Sequence, residues 1–343
     1  MNPTGIAAPL ERKDLIPALI GAGVSIFFAR IGLFAFFFLA PLGFLAFRHG
    51  RKAAWNALLF AVAGNALAAL AAASSRGAAP AGAFWGIAYF AIMACVFVWI
   101  AAPPPNSPLR ACGAMRLIAG SCAAALLLIA AFFRAAASPG FLDQLGAITD
   151  AIASWRGAAG ADVVQAALLS DITPEMTLEF MAAVMLRGGA LFFSALLFFA
   201  CRQFSFLLAR LFAREKPAAE NLLAAFRAPR KAIWALSGSL LLVVLASAAN
   251  IGGLEILIWN ILVLCGIMYL AQGLGILQFF LARAAVPPFL RLLLLASFFI
   301  MLLSPGINAV LLGGVALLGI AENWVPLRAP ETNGTPSTPQ AGD

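Results

Sequence analysis

Histidine is nearly missing from this sequence. The one copy, His49, sits in the basic stretch FRHGRK beside an apolar run, so histidine-based metal sites and Ser/His or Cys/His dyads inside the apolar segments have no histidine to use. Charge is scarce as well. Lys, Arg, Asp and Glu make up 10% of the 343 residues, hydrophobic residues make up 63%, and the mean hydropathy is +0.99, far from the roughly half-apolar usage of a soluble domain. The five cysteines, Cys95, Cys112, Cys122, Cys201 and Cys265, include no CxxC pair. They fall on predicted helices or their ends, where cysteine behaves as a small hydrophobe, so neither a disulfide framework nor a zinc site follows. HExxH, GxxxxGK[ST] and paired aspartates within an apolar segment are all missing. That argues against a hydrolase or an ATP-driven motor in its own right, and no metal or other cofactor is expected. A lipid transferase working through a few acids and arginines stays open, because such chemistry leaves little local signature. The first apolar run carries on past Arg30 with no A-x-A cleavage site, so an uncleaved first span is expected in place of a signal peptide.

What the chain has is a succession of apolar runs joined by short loops rich in Gly, Pro and Arg, with no room for a separate soluble domain of ~100 residues. A helix needs ~20 apolar residues to cross the hydrocarbon. Residues 53–73, 81–102, 114–134, 174–201, 232–249 and 254–282 meet that requirement. Residues 15–47 are too long for one span and short for two, with Arg30 in the middle, which predicts two short helices or a re-entrant pair. Residues 287–324 are split by Ser304, Pro305 and Gly306 into two further spans. The reading is an all-α, polytopic transmembrane helix bundle of about eight to ten spanning or partly spanning helices. It forms a single integral membrane domain over 1–328, with a polar, proline-containing tail at 329–343 expected to be disordered.

The charges orient this bundle. Most of the 22 Lys and Arg residues fall in loops assigned to one side, Arg30, Arg76, Arg134 and Arg156 fall on the other, and Arg187 lies within a span. The bias places both termini in the cytoplasm. The net charge of +8 is accounted for by this bias and by anionic headgroups, so nucleic acid is discounted as a partner and membrane lipid is expected. Two loops exceed what a connection needs. In the external one, 135–171, Phe141, Leu145, Ile148, Ile152 and Trp155 recur at spacings of three and four, the pattern of an amphipathic helix that either lids a pocket or merely closes the loop. The internal one, 202–231, is basic, with Arg227, Arg230 and Lys231 as its candidate partner-docking residues; attraction to anionic lipid is the plainer reading of the same charges.

An ionisable group inside the bilayer is costly and needs a reason. Thr173, Pro174 and Glu175 mark a helix start, and counting inward at 1.5 Å per residue puts Arg187 ~20 Å deep. Gly188 and Gly189 expose backbone beside it. The candidate counter-charges are Glu179, two turns outward, and Glu255, at the end of a later span that also carries Asn260, Gln272 and Gln278. These amides serve either as hydrogen-bonding glue between helices or as a ligand-contacting stripe. Arg187, Glu179, Glu255, Asn260 and Gln272 form the candidate ligand-binding set, in which the arginine would meet an anionic group.

Four stretches, LAPLGFLAFRHGRK from Leu39, AFRAPRKAIWAL from Ala225, YLAQGLGILQFFL from Tyr269 and LLGIAENWVPLR from Leu317, resemble the YybS-like family of bacterial multi-pass membrane proteins. Members of that family tend to carry aspartate where Glu322 stands, and Arg187 is not part of the shared pattern. The family is distantly similar to the substrate-binding membrane subunits of energy-coupling factor transporters. Those subunits bind vitamins or related small molecules and depend on separate transmembrane and ATPase subunits, which they meet through small residues on the first helix; Ala18 and Ala22 would supply such a pair. The resemblance implies a small-molecule-binding subunit of transporter type, non-enzymatic, with a membrane or ATPase partner subunit. The alternative is a non-catalytic membrane scaffold for an envelope, division or translation-linked assembly, docked through the 202–231 loop.

Overall fold

In the computed structural model, the described residues are 12–75, 81–103, 113–138, 140–143, 145–147, 173–212, 223, 226–249, 252–284, 286–304 and 307–328. Among them the secondary structure is helical throughout, with no strand. The helices are α1 (Arg12–Arg30), α2 (Ala40–Arg48), α3 (Gly50–Ser75), α4 (Ala81–Ala101), α5 (Gly113–Ala136), α6 (Pro174–Val184), α7 (Ala190–Phe212), α8 (Ala232–Ala248), α9 (Gly252–Arg283), α10 (Pro288–Leu303) and α11 (Ile307–Ala321). Five helical segments are long and apolar enough to cross a membrane, and several shorter apolar helices accompany them. The break at Ser304 separates α10 from α11 as its Pro-Gly pair predicts. The tail at 329–343 and Ile148, Ile152 and Trp155 of the external loop lie outside the described residues.

Contacts divide the chain into two compact units, one comprising Met1–Glu220 with Trp234–Ile267, the other Asn221–Ile233 with Met268–Asp343. In the first, α3, α4, α5 and α7 pack in succession, α1 lies against α2 and α3, and α2 lies against α3 and α7. Its centre is aromatic and aliphatic, with Phe97, Phe132, Phe198, Leu42 and Met93 fully buried. A stripe of small residues on α3, Ala53, Ala57 and Ala61, lets neighbouring helices come close. That closeness matters where lipid supplies no hydrophobic drive between helices and van der Waals fit must hold them together.

The region expected to hold two short helices or a re-entrant pair resolves into the 19-residue α1, a 3-10 turn over Gly32–Phe37 and the nine-residue α2, spanning Arg12 to Arg48. At 1.5 Å per residue α2 extends only ~14 Å, so it cannot cross the hydrocarbon by itself. Irregular backbone at such a depth has to find its hydrogen bonds within the protein. Here side chains supply them. Ser25 Oγ donates to the Phe38 carbonyl at 2.5 Å, and the Cys201 thiol donates to that of Phe36 at 3.3 Å. The Ser205 hydroxyl, with one proton to give, lies 2.8 Å from the Ala40 carbonyl and 2.6 Å from that of Cys201. Ser205 fits because the facing residue is Gly43, where a Cβ would lie 2.4 Å from its oxygen.

One expectation changes on the first unit. α7 continues through Phe212, so residues 202–212 are helix where a basic loop was expected. Arg202 is buried there, its guanidinium 5.7 Å from the centre of the Phe47 ring. Between the basic residues, Phe204, Phe206, Leu207, Leu208 and Ala209 continue the apolar pattern of the helix. The described start of the external loop, 140–143 and 145–147, is helical, and Phe141 and Leu145 are buried in a cluster with Phe132 and Ala135, flanked by Trp85, Leu178 and Met181. Its apolar face therefore rests on the ends of α4, α5 and α6, while Asp143 faces outward.

In the second unit the later part of α9 meets α11 almost backbone to backbone. A Cβ at Gly273 would lie 1.9 Å from the Val315 carbonyl oxygen, and one at Gly319 would lie 2.1 Å from that of Tyr269. Only glycine tolerates this contact at either place.

Candidate functional site

The helix start inferred around Thr173 is present. Thr173 caps α6 by accepting the Met176 N–H at 3.3 Å, with Pro174 in the first turn. After 11 residues the regular helix breaks. Met185–Gly189 forms a wide turn in which Arg187 (φ −85°, ψ 27°) and Gly188 (φ +94°, ψ 0°) leave helical geometry before α7 resumes at Ala190. Gly188 is required twice over. Its φ lies in the left-handed region that favours glycine, and a Cβ there would sit 2.7 Å from the Val263 side chain of α9. Such bulges inside helices concentrate at functional sites.

A bulge frees a carbonyl, and α9 takes it up. Asn260 Nδ2 donates one N–H to the Leu186 carbonyl and the other to Ile256 of its own helix. One turn earlier, Glu255 Oε1 lies 3.2 Å from Arg187 Nη2 and accepts the Trp259 indole N–H at 3.3 Å. The Glu255 side chain is 16% exposed and that of Arg187 is 50% exposed, so the pair is held on one side and open on the other. The open side is a groove of about 410 Å³ whose walls include Phe180, Phe192 and Trp259 with Gly188 and Gly189 at its base. Of the candidate ligand set, Arg187, Glu255 and Asn260 come together. Glu179 is exposed on α6 outside the pair, in keeping with the ~80° that separates it from Arg187 round a regular helix.

Gln272 serves a different cluster, within the second unit. Glu322, one residue past α11, and Arg328 form an ion pair in which both side chains are 3% exposed. Arg328 grips both carboxylate oxygens, with Nε to Oε1 at 2.7 Å and Nη2 to Oε2. It also donates Nη1 to the Leu223 carbonyl at 3.2 Å and Nη2 to the Phe226 carbonyl at 2.8 Å. Gln272 completes the set by donating to Glu322 Oε2 at 2.9 Å and accepting the Ala228 N–H at 2.8 Å. Every bond has a charged or backbone partner, which is what a buried ion pair needs to offset the loss of water. The cluster ties down Leu223, Phe226 and Ala228, and Arg227, Arg230 and Lys231 stand exposed beside them. Glu322 feels opposing influences. Burial, the largest, would raise its pKa, but hydrogen bonds from Arg328 and Gln272 and the fields of Arg328 and Arg227 together hold it below the ordinary 4.5.

Sequence reasoning reached Arg187 and Asn260 but not this second cluster as a site. Its signal was nonetheless present, since AFRAPRKAIWAL, YLAQGLGILQFFL and LLGIAENWVPLR each contribute one side of it. Ala18 and Ala22 are 0% and 3% exposed, so the small pair on the first helix is spent inside the chain and offers no surface to another subunit.

The model of a family described as a predicted membrane protein, DUF2232, matches residues 16–321, from the first helix to the end of α11. No curated protein and no solved structure matches the chain. Glu322 and Arg328 fall just past the matched span, whereas the broken helix, Gln272 and the basic segment fall within it. With nine-tenths of its length matched and its helices long and apolar in succession, the chain belongs to the DUF2232 family of predicted membrane proteins.

Proposed function

We propose that this chain is a small-molecule-binding membrane subunit of transporter type in the bacterial cytoplasmic membrane, taking the anionic group of its ligand at Arg187. The carrying observation is the half-open ion pair: Glu255 holds Arg187 from one side and the groove walled by Phe180, Phe192 and Trp259 faces the other. An arginine has five N–H donors, so a carboxylate or phosphate can join Glu255 or displace it while an apolar body lies along the aromatic wall. A groove of this size falls in the range of small-ligand pockets, ~300–1,000 Å³. The resemblance to YybS-like proteins and to the substrate-binding subunits of energy-coupling factor transporters supports the same class of function, though the burial of Ala18 and Ala22 means that any coupling partner meets a different surface. The test is mass spectrometry of the detergent-purified chain. A small anionic molecule should be retained by the natural protein and lost in Arg187→Gln, and repeated recovery of an empty, solitary chain would sink the proposal.

A second reading has its own observation. The buried cluster at Glu322 and Arg328 fixes the segment that displays Arg227, Arg230 and Lys231, a rigid basic patch suited to an acidic partner in a scaffold. Changing those three residues to Ser should then abolish partner capture and leave small-molecule retention untouched. The opposite pattern favours the ligand-binding subunit.

A further inference from the structure

A second concavity lies in the first unit, away from the broken helix. α1, α2 and α7 form a groove of about 530 Å³ lined by Ile20, Val24, Pro41, Phe44, Phe204 and Leu208, among others, and by His49, which follows α2. The close approach of α1 and α2 sets its floor, since a Cβ on Gly21 would lie 2.3 Å from Leu45. Pro17, within α1, also lines it. Apart from His49 the described residues that line it are apolar, and they offer nothing that would hold a polar solute.

The polar chemistry is gathered at one end. Arg48, His49, Arg51 and Lys52 follow one another round the turn between α2 and α3, and all are exposed. Arg48 is fixed at the lip of the groove, its guanidinium carbon 5.7 Å from the centre of the Phe44 ring, which itself lines the cavity. An apolar trough ending in a cluster of cations matches one kind of molecule, a long hydrocarbon chain with a negative head. Ile16, Ile20 and Phe212, on the groove's open side, are 59%, 62% and 63% exposed, which puts that side in contact with the hydrocarbon of the bilayer in a membrane-spanning chain. We infer that the groove between α1, α2 and α7 binds an acyl chain of an anionic phospholipid, whose phosphate is met by Arg48, Arg51 and Lys52. This site is separate in residues and chemistry from that at Arg187 and does not depend on it.

The experiment uses the full chain, reconstituted in vesicles of equimolar phosphatidylglycerol and phosphatidylcholine with identical acyl chains, then released and weighed intact by native mass spectrometry. The natural protein should retain phosphatidylglycerol in preference to phosphatidylcholine. Ile20→Trp and Val24→Trp add bulk to the groove from positions already partly exposed, so the fold should survive; retention should fall for both lipids while elution volume and thermal midpoint hold. Arg48→Ala, Arg51→Ala and Lys52→Ala leave the trough intact and should instead erode the headgroup preference, by about fivefold for each cation, the equivalent of roughly 1 kcal/mol per basic residue at an anionic surface. Equal retention of the two lipids by the natural protein overturns the inference. So does unchanged retention in both tryptophan variants, or an unchanged headgroup ratio in the triple alanine variant.

Discussion

Two ion pairs of opposite character stand out at the level of single residues. Arg187 and Glu255 are joined through one nitrogen and one oxygen with the arginine half exposed, an arrangement that can be rearranged by a competing anion. Glu322 and Arg328 are closed, both oxygens being held by the arginine and one of them by Gln272 as well. Removing one partner of a buried pair strands the other, which typically costs about 3–5 kcal/mol. Glu322→Gln should therefore lower the thermal midpoint of the purified protein sharply, and an unchanged midpoint would show that Arg328 finds water. The same carboxyl predicts an acid limb. Its folded pKa lies below the ordinary 4.5, so between the two values the unfolded state binds more protons, and stability rises with pH. The contribution is fully present above 4.5 and is lost as pH falls through the folded value. A pH titration of thermal stability should show this loss in the natural protein and a flatter acid limb in Glu322→Gln.

At the level of elements the question is why α6 and α7 are two helices and not one. A continuous helix would place a regular carbonyl at Leu186 and no cavity beside Arg187; the bulge trades that hydrogen bond for one from Asn260. Gly188 makes the trade possible. Gly188→Ala forces a side chain into the left-handed region, costing roughly 1–2 kcal/mol, and drives its Cβ against Val263. A calorimetric comparison should find it destabilised, and adding Val263→Ala should recover only part of the loss, because the backbone term remains. Full recovery would mean that crowding alone explains Gly188. Much of this was legible in the sequence, where MLRGG put a cation beside two glycines in an apolar run and TPE marked the helix start. The bulge itself was not, because its closing bond joins residues 74 apart, and no local pattern records such a pairing. The same distance hid the Glu322 cluster. Gln272 read as one amide among several on α9, and its two partners, the Ala228 N–H and Glu322, lie 44 and 50 residues away in the sequence. Arg202 misled for a related reason: a cation near the end of an apolar run looks like a loop residue until an aromatic ring on another helix, Phe47, is found over it.

For the molecule as a whole, the first unit has two chemically distinct ends. One carries Arg48, Arg51 and Lys52, and there His49 and Phe212 line the same groove. At the other end Phe141 and Leu145 pack against Phe132, Trp85 and Leu178. α5 runs between them, and its 24 residues extend about 36 Å at 1.5 Å each, enough to cross the ~30 Å hydrocarbon with a turn to spare. Cations held on one end of such a unit are retained on the cytoplasmic side during insertion, since moving them through the bilayer is costly. The basic end of this unit should accordingly face the cytoplasm and the Phe141 end the outside. Single cysteines placed at Lys52, Phe212 and Asp143, in a chain whose own five cysteines are changed to alanine, test this in intact cells with a membrane-impermeant maleimide. Asp143→Cys should react directly, whereas Lys52→Cys and Phe212→Cys should react only after the membrane is opened. Reaction of all three from outside would mean that the unit does not span, and reaction of the first two alone would invert it. Either result would also move the acyl-chain groove, since its cationic lip travels with Lys52 and it would then face the lipids of the opposite leaflet or none.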